Sequence, residues 1–281
     1  MAKAVTKTKE AEAPKAQPPA VVGAAGGVPA YLAARLAASE GRGVSTARDD
    51  NIVPLLLVLQ KSSPQTDERA DTYVKGAKAG ELWVRGTDKI ISGTEGIEVQ
   101  PCAFWKGWLE WGPKRGDGFK GRHNERPDDA FEKEVLDDQG RPQIVWARPN
   151  NNILVETREH YVLVGADAYV IPFSSTGHTV SRTWMQLMNQ FRDQSGKPLD
   201  SFARKYRLTT VRKEKDGNSW YVIKAVDAGW VESAQQYDLG LALYQAVMSG
   251  EKVAEAVEED SRGEPERSPR TSDAEAEKVG I

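Results

Sequence analysis

Residues 97–111 read IEVQPCAFWKGWLEW, and this stretch decides the fold. It is rich in β-branched and aromatic side chains, and successive side chains of an extended chain point to opposite faces. The odd positions, Ile97, Val99, Pro101, Ala103, Trp105, Gly107, Leu109 and Trp111, make an apolar face that is expected to be core. The even positions, Glu98, Gln100, Cys102, Phe104, Lys106, Trp108 and Glu110, place two aromatic rings beside a lysine among polar neighbours. Such a face suits single-stranded nucleic acid, because a base can stack on each ring while the cation meets the phosphate. The same face is equally expected of a second small core lying beneath a loop or helix. Pro101 has no N–H to give to a ladder, so the strand is expected to be bulged or to lie at a sheet edge.

Working outward, strand-like runs recur at 81–85, 153–164 and 169–173. Residues 52–59 form an apolar run that suits a buried strand or a buried helix. Residues 206–213 and 220–226 are β-rich and joined across Asp216-Gly217-Asn218, which predicts a hairpin. Val180, Trp184, Leu187, Met188 and Phe191 recur every three or four positions, predicting an amphipathic helix over 179–192. A second helix over 231–249 would bury Tyr237, Leu241, Tyr244 and Met248 and stop at Gly250. A short helix is expected over 28–39, carrying Tyr31, Leu32 and Leu36. Residues 61–79 read as a polar connection. Residues 112–142 are dominated by Gly, Pro and charge and read as a long loop with one helical turn near 129–135. Strands, a helix, a hairpin and a last helix give an α+β, mainly β chain. The expected architecture is an OB-fold-like five-stranded barrel with an inserted helix and a C-terminal helix, although an α+β sandwich shares the order.

The chain has 281 residues and a net charge of −3. Residues 1–27 are small and carry a net +2, which predicts a disordered arm. Residues 251–281 carry a net −5 and predict a disordered acidic tail. The body, a single domain over 28–250, is therefore neutral, and an electropositive site requires local clustering. The single cysteine, Cys102, excludes an intramolecular disulfide. With only His123, His160 and His178 beside it, a Cys/His zinc site is disfavoured, and no cofactor is expected. No apolar stretch approaches the ~18 residues of a membrane span, and no apolar segment follows the first charges as in a secretory signal. The expected compartment is the cytoplasm, with no membrane partner.

Motifs for catalysis are lacking. Residues 112–122, GPKRGDGFKGR, lack the Lys-Ser/Thr of a phosphate loop and read as a mobile basic loop. His123 and Asn124 with Asp128, Asp129 and Glu132 invite a metal-dependent nuclease reading. These acids fall in a polar stretch with no acid-x-Lys strand after them. No G-x-S-x-G elbow is present, and the chain is read as non-enzymatic. Basic clustering does occur in the hairpin, where Arg204, Lys205, Arg207, Arg212, Lys213, Lys215 and Lys224 outnumber Glu214 and Asp216 by five charges. Tyr206, Trp220 and Tyr221 are interleaved with them, a pattern that suits phosphate tracking, with a solvated charged hairpin as the plain alternative. The candidate nucleic-acid contacts are Phe104, Lys106, Trp108, Lys114, Arg115, Lys120, Arg122, Tyr206, Arg207, Arg212, Lys213 and Trp220. Trp105, Trp111 and Trp184 are assigned to packing.

Ordered blocks of the chain resemble a family of phage-encoded proteins that accompany replication or recombination functions. They are Asn51–Gln60 leading into Ser63-Pro64-Gln65, GAKAGEL at 76–82, GIEVQPCAFWKGWLEWGPKRGDG at 96–118 and FSSTGHTVSRTW at 173–184. The resemblance implies a phage single-stranded DNA-binding protein with an OB-like core and partners among replication or recombination proteins, reached through the acidic tail. In such proteins the tail often ends in an aromatic residue, whereas this chain ends Val279-Gly280-Ile281. A homo-oligomer is compatible with the sequence. A phage structural or assembly protein is the alternative function, and a metal-dependent nuclease is the third.

Overall fold

The computed structural model describes residues 52–113, 117–136, 142–215 and 217–254, apart from the side chains of Lys215 and Val253. The arm over 1–27, the helix expected over 28–39 and the acidic tail beyond 254 lie outside the described residues.

The decisive stretch is one long strand, β5 (Ile97–Trp111), and it pairs antiparallel with β9 (Ile153–Val164) from Gln100↔Leu163 to Trp111↔Ile153. These two strands are the spine of an eight-stranded sheet. At one end the spine is flanked by β10 (Asp167–Ser174) on β9 and by the hairpin β11 (Arg204–Lys215) and β12 (Asn218–Trp230) on β5. At the other end β6 (Phe119–His123) joins β5, while β8 (Pro142–Ala147) and β7 (Phe131–Leu136) follow on β9.

The alternation read from the sequence does not hold along the whole of β5. The register shifts between Pro101 and Ala103, so that Pro101 faces Val162, Ala103 faces Tyr161 and Phe104 faces His160. Cys102 is the extra residue of a β-bulge, and an extra residue transposes the two faces of everything beyond it. Val99 packs with Val162, Tyr206 and Leu208 in the core cluster that includes Trp184, whereas Ala103 packs with Tyr161 on the opposite side. Positions 97, 99 and 101 thus share a face with 104, 106 and 108, not with 103 and 105. Pro101 sits where the bulge already disturbs the ladder, which is how a central strand accommodates it.

Residues 52–59 resolve as strands: β1 (Ile52–Val53) and β2 (Leu56–Val58). β2 pairs with β3 (Leu82–Val84), and β3 with β4 (Ile90–Ile91). β1 pairs in parallel with β13 (Val253–Ala254). The ladders therefore form three separate sheets and none is closed, so the expected five-stranded barrel is not confirmed. The mainly β, antiparallel character stands, with two α-helices among the described residues.

The first helix, α1 (Gly177–Met188), presents Val180, Trp184, Leu187 and Met188 to this core, as the spacing requires. Helix α2 (Ala234–Met248) begins at Ser233, whose hydroxyl accepts the Gln236 N–H, and ends before Gly250 at φ +71°. It packs across the bulge. Leu243 meets Cys102, Leu163 and Phe202, and the Gln100 side-chain amide donates to the carbonyls of Phe202 and Gln236. Gly240 permits the approach, since a Cβ there would stand 2.5 Å from Gln100 Nε2.

Two expectations are corrected by β6, β7 and β8. Residues 112–142 are not one long loop, and 129–135 contains no helical turn. Phe131–Leu136 is extended and pairs from Phe131↔Ala147 to Leu136↔Pro142. The hairpin expectation held in register: Lys215 pairs with Asn218 around a two-residue turn in which Gly217 has φ +78°.

Candidate nucleic-acid interface

Because the bulge puts Phe104, Lys106 and Trp108 on the α1 side of the sheet, their neighbours follow from the register. Phe104 lies opposite His160, Lys106 opposite Arg158, and Trp108 opposite Glu156 on one flank and His123 on the other. Helix α1 meets this face through Ser181 and Trp184 at His160 and through His178 at the Glu156 carbonyl. The Phe104 ring is half-buried, 4.9 Å from His160, which in turn stacks on Trp184 at 4.6 Å. Phe104 thus leans on the core, and Lys106 beyond it is exposed.

Trp108 is half-buried and meets Trp146 edge to face at 6.3 Å. The exposed Arg126 lays its guanidinium over Trp146 at 3.7 Å and reaches Trp108 at 5.9 Å. Lys106 is exposed, with its ammonium 3.6 Å from Glu156. Below the rings, buried Glu110 takes hydrogen bonds from Asn152, His123 at 2.7 Å and Arg148 at 3.0 Å. Burial alone would raise the Glu110 carboxyl, but these three partners together hold it below the usual carboxylate range. Arg148 also pairs with Asp129 at 2.8 Å, so the acid singled out for metal binding serves an ion-pair network. Among the described residues no group of three or more His, Cys, Asp and Glu is arranged to hold a metal.

The remaining candidates go elsewhere. Arg122 is on the opposite face, stacked over Trp105 at 4.0 Å and paired with Glu159 at 2.5 Å. Lys120 is exposed on β6, and Lys114 and Arg115 lie outside the described residues. Tyr206 is core: it is 1% exposed, meets Trp184 edge to face, and burial pushes its phenol up to about 12. Its ring therefore leaves the candidate surface. The hairpin's cationic excess is largely answered by carboxylates. Arg207 pairs with Glu98, Lys205 with Glu98 and Glu232, Arg204 with Asp227, and Arg212 with Glu214. The exposed pairs Arg207–Glu98 and Arg212–Glu214 add little stability, but every pair cancels a charge that phosphate tracking would need. Lys213 is exposed opposite Trp220. Trp220 lines a separate open groove of about 100 Å³ with Leu56, Val58, Phe173 and Val180. The structure thus brings Phe104, Lys106 and Trp108 together and leaves Arg207, Arg212, Lys213 and Trp220 on the distant hairpin.

Sequence reasoning missed Trp146, Arg126, Glu156 and Arg158. Trp146 was legible in principle, because Gln143, Val145 and Ala147 alternate with Ile144 and Trp146, but the preceding charged residues masked the pattern. No helix among the described residues is long and apolar enough to cross a membrane.

No curated protein and no solved structure matches the chain. One family model does, described as Pam3 phage gp34-like protein, and it covers residues 23–253. That span contains the whole sheet, both helices and the aromatic face, and the chain belongs to the Pam3 phage gp34-like family.

Proposed function

We propose that the protein is a non-enzymatic single-stranded DNA-binding protein, which holds strands unpaired during phage replication or recombination in the host cytoplasm. The observation that carries this reading is the Trp108–Trp146 pair with Arg126 laid across both indoles. Edge-to-face indoles on an open sheet give a base a platform without reading its identity, and each stacked base contributes about 1–3 kcal/mol. Arg126 supplies a cation at the rim, Lys106 a second one, and Phe104 a further ring. Recognition is expected to be sequence-tolerant, since every base has a π-face. Because Arg204, Lys205, Arg207 and Arg212 of the hairpin are paired internally, stacking carries more of the affinity than charge does.

An OB-like core is part of the same proposal. The separate ladders meet through single links: Leu55 bridges Val170, and the Thr210 N–H donates to the Gly93 carbonyl at 2.7 Å. Gln60 clasps the Tyr221 backbone through both its amide N–H and its carbonyl. Helix α1 would plug such a barrel from the side of Trp184. The acidic tail is assigned to contacts with replication or recombination proteins.

Titration with oligo-dT, followed by tryptophan fluorescence, tests the reading. Trp108→Ala is expected to weaken binding about tenfold or more, with little change in melting temperature. Equal affinity of the folded variant and the wild type would refute it. A phage assembly role is the second reading, favoured by Leu136 and Ile144, which are 68% and 64% exposed on the outermost hairpin. Large assemblies in sizing runs free of nucleic acid would support that role instead.

A further inference from the structure

Between the Phe104 and Trp108 platforms lies a cluster of charge that neither ring explains. Lys106 and Arg158 stand directly opposite each other across the β5–β9 ladder. Both approach the same carboxylate oxygen, Glu156 Oε1, at 3.6 Å for Lys106 Nζ and 3.4 Å for Arg158 Nη2. His178 adds a ring nitrogen 3.1 Å from the Glu156 carbonyl oxygen, and the exposed Arg182 is close enough to depress the His178 titration. One carboxylate is thus surrounded by more positive charge than it cancels.

The contacts are also loose. Charge-assisted hydrogen bonds between nitrogen and carboxylate settle near ~2.7–2.9 Å. Other ion pairs among the described residues run from 2.5 Å for Arg122–Glu159 to 3.1 Å for Lys205–Glu98. The Glu156 contacts, at 3.4 and 3.6 Å, are longer than these. Among the described residues, Arg158 Nε is buried without a partner, so the guanidinium has unmet donor capacity. The Lys106 side chain is 52% exposed, Glu156 27% and Arg158 14%, so the cluster is reached by solvent from the Lys106 side.

We propose that Lys106 and Arg158 form a phosphate-binding subsite between the two ring platforms, held in the free protein by the carboxylate of Glu156. The ligand is a backbone phosphodiester, and Glu156 is the internal anion that it displaces. This rests on the single-strand reading above and specifies which phosphate position the protein grips. It also gives Glu156 a role: by occupying the subsite it weakens the grip on any lone anion, while a strand stacked on Phe104 and Trp108 delivers its phosphate at high effective concentration.

The test compares wild type with Glu156→Gln, Lys106→Gln and the double variant, each checked for an unchanged melting temperature. Oligo-dT is titrated at rising salt, and melting is measured separately with inorganic tripolyphosphate. Glu156→Gln is expected to tighten oligo-dT binding about threefold to tenfold at low salt. Lys106→Gln should flatten the log–log salt slope by about 0.7, the value of one phosphate contact on a single strand. The double variant should lose the gain. Tripolyphosphate should raise the melting temperature of Glu156→Gln more than that of wild type. If Glu156→Gln changes neither affinity, salt slope nor the tripolyphosphate response while Trp108→Ala weakens binding, the subsite is wrong and stacking stands. If no variant binds oligo-dT but Glu156→Gln gains the tripolyphosphate response, the single-strand reading fails and the anion subsite survives. Absence of both responses overturns both.

Discussion

His160 should make this protein less stable as the pH falls. Its side chain is 1% exposed and enclosed by Phe104 at 4.9 Å, Phe173 at 5.4 Å and Trp184 at 4.6 Å, with Nε2 2.8 Å from Ser181 Oγ. Burial first, and the nearby Arg158 charge second, push its pKa down from the ordinary 6.5 to about 3. Above the unfolded value both states are neutral and the full stability is present. As pH falls below it, the unfolded chain takes up a proton that the folded chain refuses. Stability is then lost at up to ~1.4 kcal/mol per pH unit, until the folded state itself protonates near pH 3. The expected loss from this residue between about pH 7.5 and about pH 5 is roughly 2 kcal/mol. Urea unfolding monitored by tryptophan fluorescence across that range, for wild type and His160→Leu, isolates the effect. The variant costs stability at every pH, because it gives up the Ser181 contact. It cannot take up the proton, so its profile should be flatter by that same amount, while the carboxylates common to both proteins cancel. Parallel profiles would refute the argument that a neutral, enclosed imidazole supports this core.

Two further outcomes follow from burial and close approach. Gly93→Ala should destabilise by about 2–4 kcal/mol. Its Cβ would meet the Gly80 carbonyl oxygen at 1.8 Å and Thr210 Oγ1 at 2.3 Å, prising apart the link between β4 and β11; an unchanged urea midpoint would count against that packing. The Cys102 thiol is 1% exposed, and burial pushes it up to about 12, so a disulfide reagent should label it only as fast as the protein unfolds. Rapid labelling under native conditions would show that α2 does not cover the bulge.

The parts of the fold that were legible are those where a local signal and the tertiary demand agree. Gly217 marks the hairpin turn, and the spacing of Val180, Trp184 and Leu187 sets α1, because one turn type and one period each admit a single structure. The 131–147 strands were hidden because Glu132, Lys133 and Glu134 read as loop, yet strand preference depends on neighbours and not on the residue alone. For Tyr206 the cue was present: Leu208 and Thr210 share its side of β11, and a face holding Leu208 is a core face. The pairing of the hairpin cations was not legible. Glu98 meets Arg207 across 109 positions of sequence, and nothing local announces the ladder that joins them. The same is true of Trp146, Arg126, Glu156 and Arg158, which become neighbours of Trp108 and Lys106 only through the registers of three strands.

The bulge at Cys102 has a consequence for how this surface can change over generations. Substitutions can alter which side chains stand on the open face, but they cannot move Phe104, Lys106 and Trp108 to the other side, because sidedness is a matter of counting. Loss of Cys102 itself would only restore a regular ladder, but loss of a single codon beyond the bulge would transpose the residues after it with Trp105, Leu109 and Trp111, placing polar side chains where the interior needs tryptophan. Drift in sequence is therefore tolerated along this strand far more readily than drift in length. Relatives can be expected to vary in the chemistry of the face while keeping the number of residues between Ala103 and Trp111.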